Sequence, residues 1–165
     1  MRWYFQWRFH QIGYCDQFMS TFSFGSTTTF HEQFVTSIDF NPFLPPSTSG
    51  VVNHYGNALT SAIIMIISYT NFNSCAVFIS DGGSSPHPSP QIAFFNFVVN
   101  YMKTYYQRCV CSMCFFTGAG PVDITFHKTC LSIGASFYAN TNPWSLANQF
   151  WNQAEQKIYN STCNC

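Results

Sequence analysis

Three groups of residues in this chain are of types that do chemistry. The first is Asp81, which follows the apolar run Cys75-Ala76-Val77-Phe78-Ile79-Ser80 and opens a loop of small residues, Gly82-Gly83-Ser84-Ser85. A carboxylate so placed can accept from the amides of the turn that follows, or can meet a ligand as one of only six acids in the sequence. The second is the run Cys109-Val110-Cys111-Ser112-Met113-Cys114, whose Cys-x-x-Cys pair would suit zinc or a cycling dithiol. On a strand, however, Cys111 and Met113 face one way while Val110, Ser112 and Cys114 face the other. The thiols then diverge, and Cys111 and Cys114 read as small hydrophobes in a core, with Cys109, at the strand start, the one suited to a disulfide. The third group is Asp123 with His127. Their i, i+4 spacing gives proximity on a helix but no triad, no Gly-x-Ser-x-Gly elbow occurs, and no local signal pairs two carboxylates for glycoside chemistry. A non-catalytic protein is expected.

These groups sit in an alternating pattern of elements. Gln17 to Thr36 is rich in β-formers and broken at Gly25, which predicts a hairpin. A Pro/Ser/Gly loop, Asn41 to Gly50, follows. Leu59, Ala62, Ile63, Ile66 and Ile67 then fall at helical spacing, and Cys75 to Ser80 reads as a strand buried on both faces. Ile92, Phe95, Val99, Met102 and Tyr106 mark a second helix, Cys109 to Phe116 a second parallel strand. A third round has a helix around Val122 to Leu131 and a short strand, Ser136 to Asn140. A last helix is opened by Asn142 as cap and Pro143 in its first turn, with Trp144, Ala147, Trp151, Ala154 and Ile158 as its apolar stripe. The alternation predicts an α/β fold, doubly wound around a mostly parallel sheet with helices on both faces. In such sheets ligands bind outside the carboxyl ends of the strands, which is where Asp81 would sit, on a central strand.

Composition narrows the function classes. Only 7% of residues are charged, against roughly 25% in average soluble proteins. Aromatic residues make up 19%, and the net charge is zero. No basic field exists to attract nucleic acid or anionic lipid. The longest strongly apolar run, Ala58 to Tyr69, falls far short of the roughly 20 residues of a membrane span and predicts a buried helix. The N-terminus lacks the apolar core and cleavage site of a signal peptide. If the protein is secreted, Met1 is then not the start of its precursor.

In order and spacing, four stretches resemble a von Willebrand factor type A domain: Phe18 to Phe30, Ser49 to Ile63, Cys75 to Gly83, and Phe115 to Asn142. The Cys130 region, with Ser145 to Gln156 behind it, is most similar to the type A domains of calcium-channel auxiliary subunits. The likeness covers roughly residues 16 to 158, leaving an aromatic N-terminal segment, 1 to 15, and a cysteine-containing tail, 159 to 165. It implies a Rossmann-like sheet and a divalent cation, Mg2+ or Ca2+, held by hard oxygen ligands. Matched position by position, Asp81 corresponds to one ligand and Asn53 falls where the family's threonine ligand is expected. The family's Asp-x-Ser-x-Ser loop is absent and too few residues precede the hairpin for the central first strand and its crossover helix. The fold is therefore expected to be N-terminally shortened, or completed by upstream sequence or by another chain.

The remaining features point to assembly. Eight cysteines and the sequon Asn160-Ser161-Thr162 fit the secretory route, with an N-linked glycan on Asn160 and with Cys15, Cys109, Cys163 and Cys165 as disulfide candidates. Trp3, Tyr4, Phe5, Trp7 and Phe9 crowd into nine residues, and burying them against a neighbour is favourable at roughly 25 cal/mol per Å². The expected function is a protein-protein interaction module of an extracellular or cell-surface protein, a structural subunit of a larger assembly. Two alternatives are a cation-dependent adhesion domain using Asp81 to Ser85, and a thiol or zinc protein using Cys109, Cys111 and Cys114.

Overall fold

The computed structural model describes residues 18–24, 28–36, 54–80, 82, 86–116 and 121–139. The predicted hairpin is present. Strands β1, Phe18–Phe24, and β2, Thr28–Thr36, pair antiparallel from Phe18↔Thr36 to Phe24↔Thr28, with two register shifts, between Met19 and Thr21 and between Thr21 and Phe22.

Helix α1, Tyr55–Ser68, buries Tyr55, Ala58, Leu59, Ala62, Ile63 and Ile66. That i, i+3, i+4, i+7, i+8, i+11 stripe is what a one-sided helix presents to a core. Ile67, expected on the same stripe, is instead exposed, because it lies one residue past the buried face. Strand β3, Ser74–Ser80, leads to helix α2, Ser89–Tyr106, which carries Pro90 in its first turn, where a missing amide costs nothing. Ile92, Phe95, Val98 and Met102 form its buried side, whereas Tyr106, also expected there, is exposed. The helix stops at Gln107, and the amides of Gln107 and Arg108 both turn back to the carbonyl of Met102.

Strand β4, Val110–Phe116, runs parallel to β3, and helix α3, Ile124–Ser132, leads to the short parallel strand β5, Ser136–Ala139. Asp123 caps α3: its carboxylate accepts from the Phe126 amide at 2.7 Å, an interaction of about 1 kcal/mol. The far end closes in a Schellman motif, with the Ala135 amide bonded to the Cys130 carbonyl and the Gly134 amide to that of Leu131. Gly134 takes the left-handed conformation this requires, at φ 68°.

Strand order in the parallel sheet is β3-β4-β5, so the described core is an α/β unit with β4 in the middle. This corrects the sequence reading in one respect. Cys111 to Phe116 are all buried, as a two-sided central strand demands, but β3 is an edge among the described strands and Ile79 is 39% exposed. Register partners in a parallel pair point to the same side, so Phe78, Cys114, Phe116 and Phe137 share one face, and Cys75, Cys111, Met113, Phe115 and Tyr138 share the other. The first face packs with the buried stripes of α1, α2 and α3 in one continuous core. That α2 and α3 share this side is what two crossovers of the same, usual right hand to successive neighbours produce. On the second face Met113 and Phe115 are fully buried, and the Phe115 ring stacks on Tyr138 at 5.1 Å. None of the described helices covers that face.

Candidate functional site

The carboxyl edge of the sheet is built from the ends of β3 and β4 and the start of α1. Ser80, the last residue of β3, is buried; its Oγ accepts from the Gly82 amide at 3.2 Å and lies 3.4 Å from the Tyr55 hydroxyl. Gly82 has φ 103°, and a Cβ there would sit 3.4 Å from the Phe116 ring. The contact is of ordinary van der Waals length, so space would admit a Cβ; it is the positive φ that favours glycine here. Replacing Gly82 by alanine should cost about 1–3 kcal/mol in a urea titration. A neutral substitution would mean that this turn is not part of the folded state.

Of the residues the sequence marks for this loop, Gly82 is thus placed; Asp81, Gly83, Ser84, Ser85 and Asn53 lie outside the described residues. Among the described residues no three His, Cys, Asp or Glu side chains come together as a metal site. His87 is exposed, with Nδ1 3.0 Å from the Ser89 hydroxyl. The Asp123 carboxylate is engaged as a helix cap, and the His127 ring packs on Phe137 at 4.4 Å. A small apolar gap lined by Tyr55, Leu59, Phe78, Phe126, Thr129 and Cys130 has room for about one water molecule, too little for a ligand.

The cysteines are arranged differently from the expectation. Cys75 and Cys111, direct register partners on β3 and β4, form a disulfide with Cα atoms 4.5 Å apart. Cys114 and Cys130 form another, 6.2 Å between Cα atoms, which ties β4 to α3. Cys111 and Cys114 are therefore not free core cysteines. They do point to opposite faces, and each finds its own partner there. Cys109 is disulfide-bonded as well, and its amide is held by Asn73 Oδ1 at 3.0 Å. With their sulfurs joined in this way, Cys109, Cys111 and Cys114 present neither a thiolate nor a convergent zinc set. Disulfides of this kind persist in oxidising compartments. Cys15, Cys163, Cys165, Asn160 and the aromatic group Trp3, Tyr4, Phe5, Trp7 and Phe9 lie outside the described residues.

What the sequence reading missed is on the solvent side of α2. Phe94, Phe97, Tyr101 and Tyr105 are 52%, 59%, 37% and 72% exposed. Their rings follow one another along the helix at centroid distances of 6.2, 6.0 and 4.8 Å. Tyr106 meets Tyr101 edge-on at 5.7 Å and hydrogen-bonds its hydroxyl, and that bond raises the Tyr101 phenol above its usual pKa. The folded state thus holds this proton more tightly than the unfolded chain. The resulting stabilisation is present below the ordinary tyrosine range and is lost as pH rises through the elevated Tyr101 value. The signal was legible as aromatic residues at i, i+3, i+7 and i+11. They were overlooked because the buried stripe of the same helix is also apolar.

The chain matches no protein-family model, no curated protein and no solved structure. Its functional reading rests on its own geometry. Among the described residues no helix is long and apolar enough to cross a membrane.

Proposed function

We propose that this chain is a non-catalytic protein-protein interaction module of an extracellular or cell-surface protein, serving as a structural subunit of a larger assembly. The observation that carries the reading is the exposed, uncharged aromatic ladder of α2, since large exposed apolar patches mark interaction surfaces. The disulfides support the oxidising location, and the sequon at Asn160 supports a glycoprotein. The parallel order β3-α2-β4-α3-β5, together with a buried second face that no described helix covers, supports a doubly wound sheet resembling a von Willebrand factor type A domain.

A photo-crosslinking residue at position 97, in the protein expressed where its disulfides form, tests the module directly. Covalent adducts with protein are expected; a chain that yields none has no partner at this face. The Gly82 turn at the carboxyl edge of the sheet favours a second version, in which Asp81 and Asn53 hold Mg2+ or Ca2+ for a partner's acidic side chain. EDTA separates the two, because only the cation-dependent version loses its adducts on chelation.

A further inference from the structure

We infer that the aromatic ladder of α2 binds a second copy of this chain, with the two helices antiparallel across a two-fold axis between Phe97 and Tyr101. The inference rests on the interaction-module reading and names its partner. Tyr105 lies eleven residues beyond Phe94, so the ladder is about 16 Å long at 1.5 Å per residue. With aromatic side chains presenting 150–250 Å² each, the four exposures leave roughly 400 Å² of apolar surface in water. That is at the size of the largest patch a typical monomer tolerates.

Charge decides which partner fits. Lys103 is the only charged residue of α2, and it lies two positions from both Tyr101 and Tyr105, off the stripe. The exposed residues beside the ladder, Pro90, Ala93, Asn100 and Thr104, are uncharged. A nucleic acid strand would need a cationic groove beside the stacking rings, and an anionic membrane would need flanking lysines or arginines. Neither is present along the stripe. An identical strip meets no desolvated charge and, at zero net charge, little long-range repulsion.

Two-fold pairing is self-complementary. It sets Phe94 against Tyr105 and Phe97 against Tyr101 of the other copy, aromatic on aromatic at each step, with the tyrosine hydroxyls at the wet rim. Counting both copies and the flanking residues, the contact buries roughly 1,000 Å², the lower bound for a specific interface. A reversible dimer of micromolar affinity is expected rather than an obligate one.

The test is sedimentation velocity on the full oxidised chain over a micromolar concentration series. Wild type should move from 18.8 kDa toward twice that mass. Phe97→Lys and Tyr101→Glu, both at exposed positions, should each weaken association at least about tenfold, as expected for a central aromatic anchor. Mixed together, the two variants should recover dimer. One antiparallel register then pairs the introduced ammonium with the introduced carboxylate while keeping the other Phe97-Tyr101 contact. Recovery also shows that neither variant has simply unfolded. Dimerisation unaffected by Phe97→Lys, or no recovery on mixing, overturns the inference. Monomeric wild type that still yields crosslinked adducts at position 97 overturns the second copy as partner and leaves the interaction module standing; monomer without adducts removes both.

Discussion

Reduction of the disulfides is expected to leave this chain largely unfolded at room temperature. The Cys114–Cys130 bridge closes a loop of 16 residues and contributes roughly 3 kcal/mol by restricting the unfolded chain, and Cys75–Cys111, at a separation of 36, roughly 4 kcal/mol. Their sum is comparable with the whole stability of an ordinary domain, about 5–15 kcal/mol. The two bridges act at different places. One fixes β3 against β4 on the far face of the sheet; the other anchors α3 to β4 inside the helix-covered core, where Cys114 and Cys130 are both buried. Urea titrations of oxidised chain, reduced chain and the paired variants Cys75→Ala/Cys111→Ala and Cys114→Ala/Cys130→Ala separate the contributions. Peptide mapping without reductant should return both pairs. A reduced chain that keeps its stability to within about 1 kcal/mol would show that the native protein does not depend on them.

Why these pairings were hidden in the sequence is instructive, because the elements around them were not. The spacing of Leu59, Ala62, Ile63 and Ile66 and of Ile92, Phe95 and Met102 was enough to locate α1 and α2, since a helix core stripe is a local property. The alternation of strand and helix likewise gave three parallel strands. Register is not local. Cys75 meets Cys111 only because Ser74 pairs with Val110, a relation fixed by the α2 crossover and by Asn73 holding the Cys109 amide, and no run of residues displays it. The same holds for the place of β3 at the edge of the described strands: its apolar sequence resembles that of a central strand, and only the pairing distinguishes them. The candidate site was legible as a strand end followed by small residues. The need for glycine at position 82, by contrast, comes from the positive φ that the turn after β3 imposes, which the residue types alone do not display.

Phe95→Ala should destabilise the chain by about 3–5 kcal/mol, whereas Phe97→Ala, two residues further along the same helix, should change monomer stability by no more than about 0.5 kcal/mol. Phe95 is fully buried and meets Phe78 edge-on at 6.4 Å in the layer between α2 and the sheet, so truncation removes the packing of both rings and leaves a cavity. Phe97 is 59% exposed and touches only its ladder neighbours Phe94 and Tyr101 among the described aromatic rings. Urea unfolding of the two variants at low protein concentration, where a reversible dimer does not contribute, measures the difference. The contrast is sensitive to the rotation of α2 about its axis, because a half-turn would exchange the buried and exposed faces and reverse the order of the two effects. Equal costs would mean that both rings are covered in the monomer, and the ladder would then be core rather than interface. The predicted inequality therefore tests, in a single helix, both what holds the domain together and what it offers to a partner.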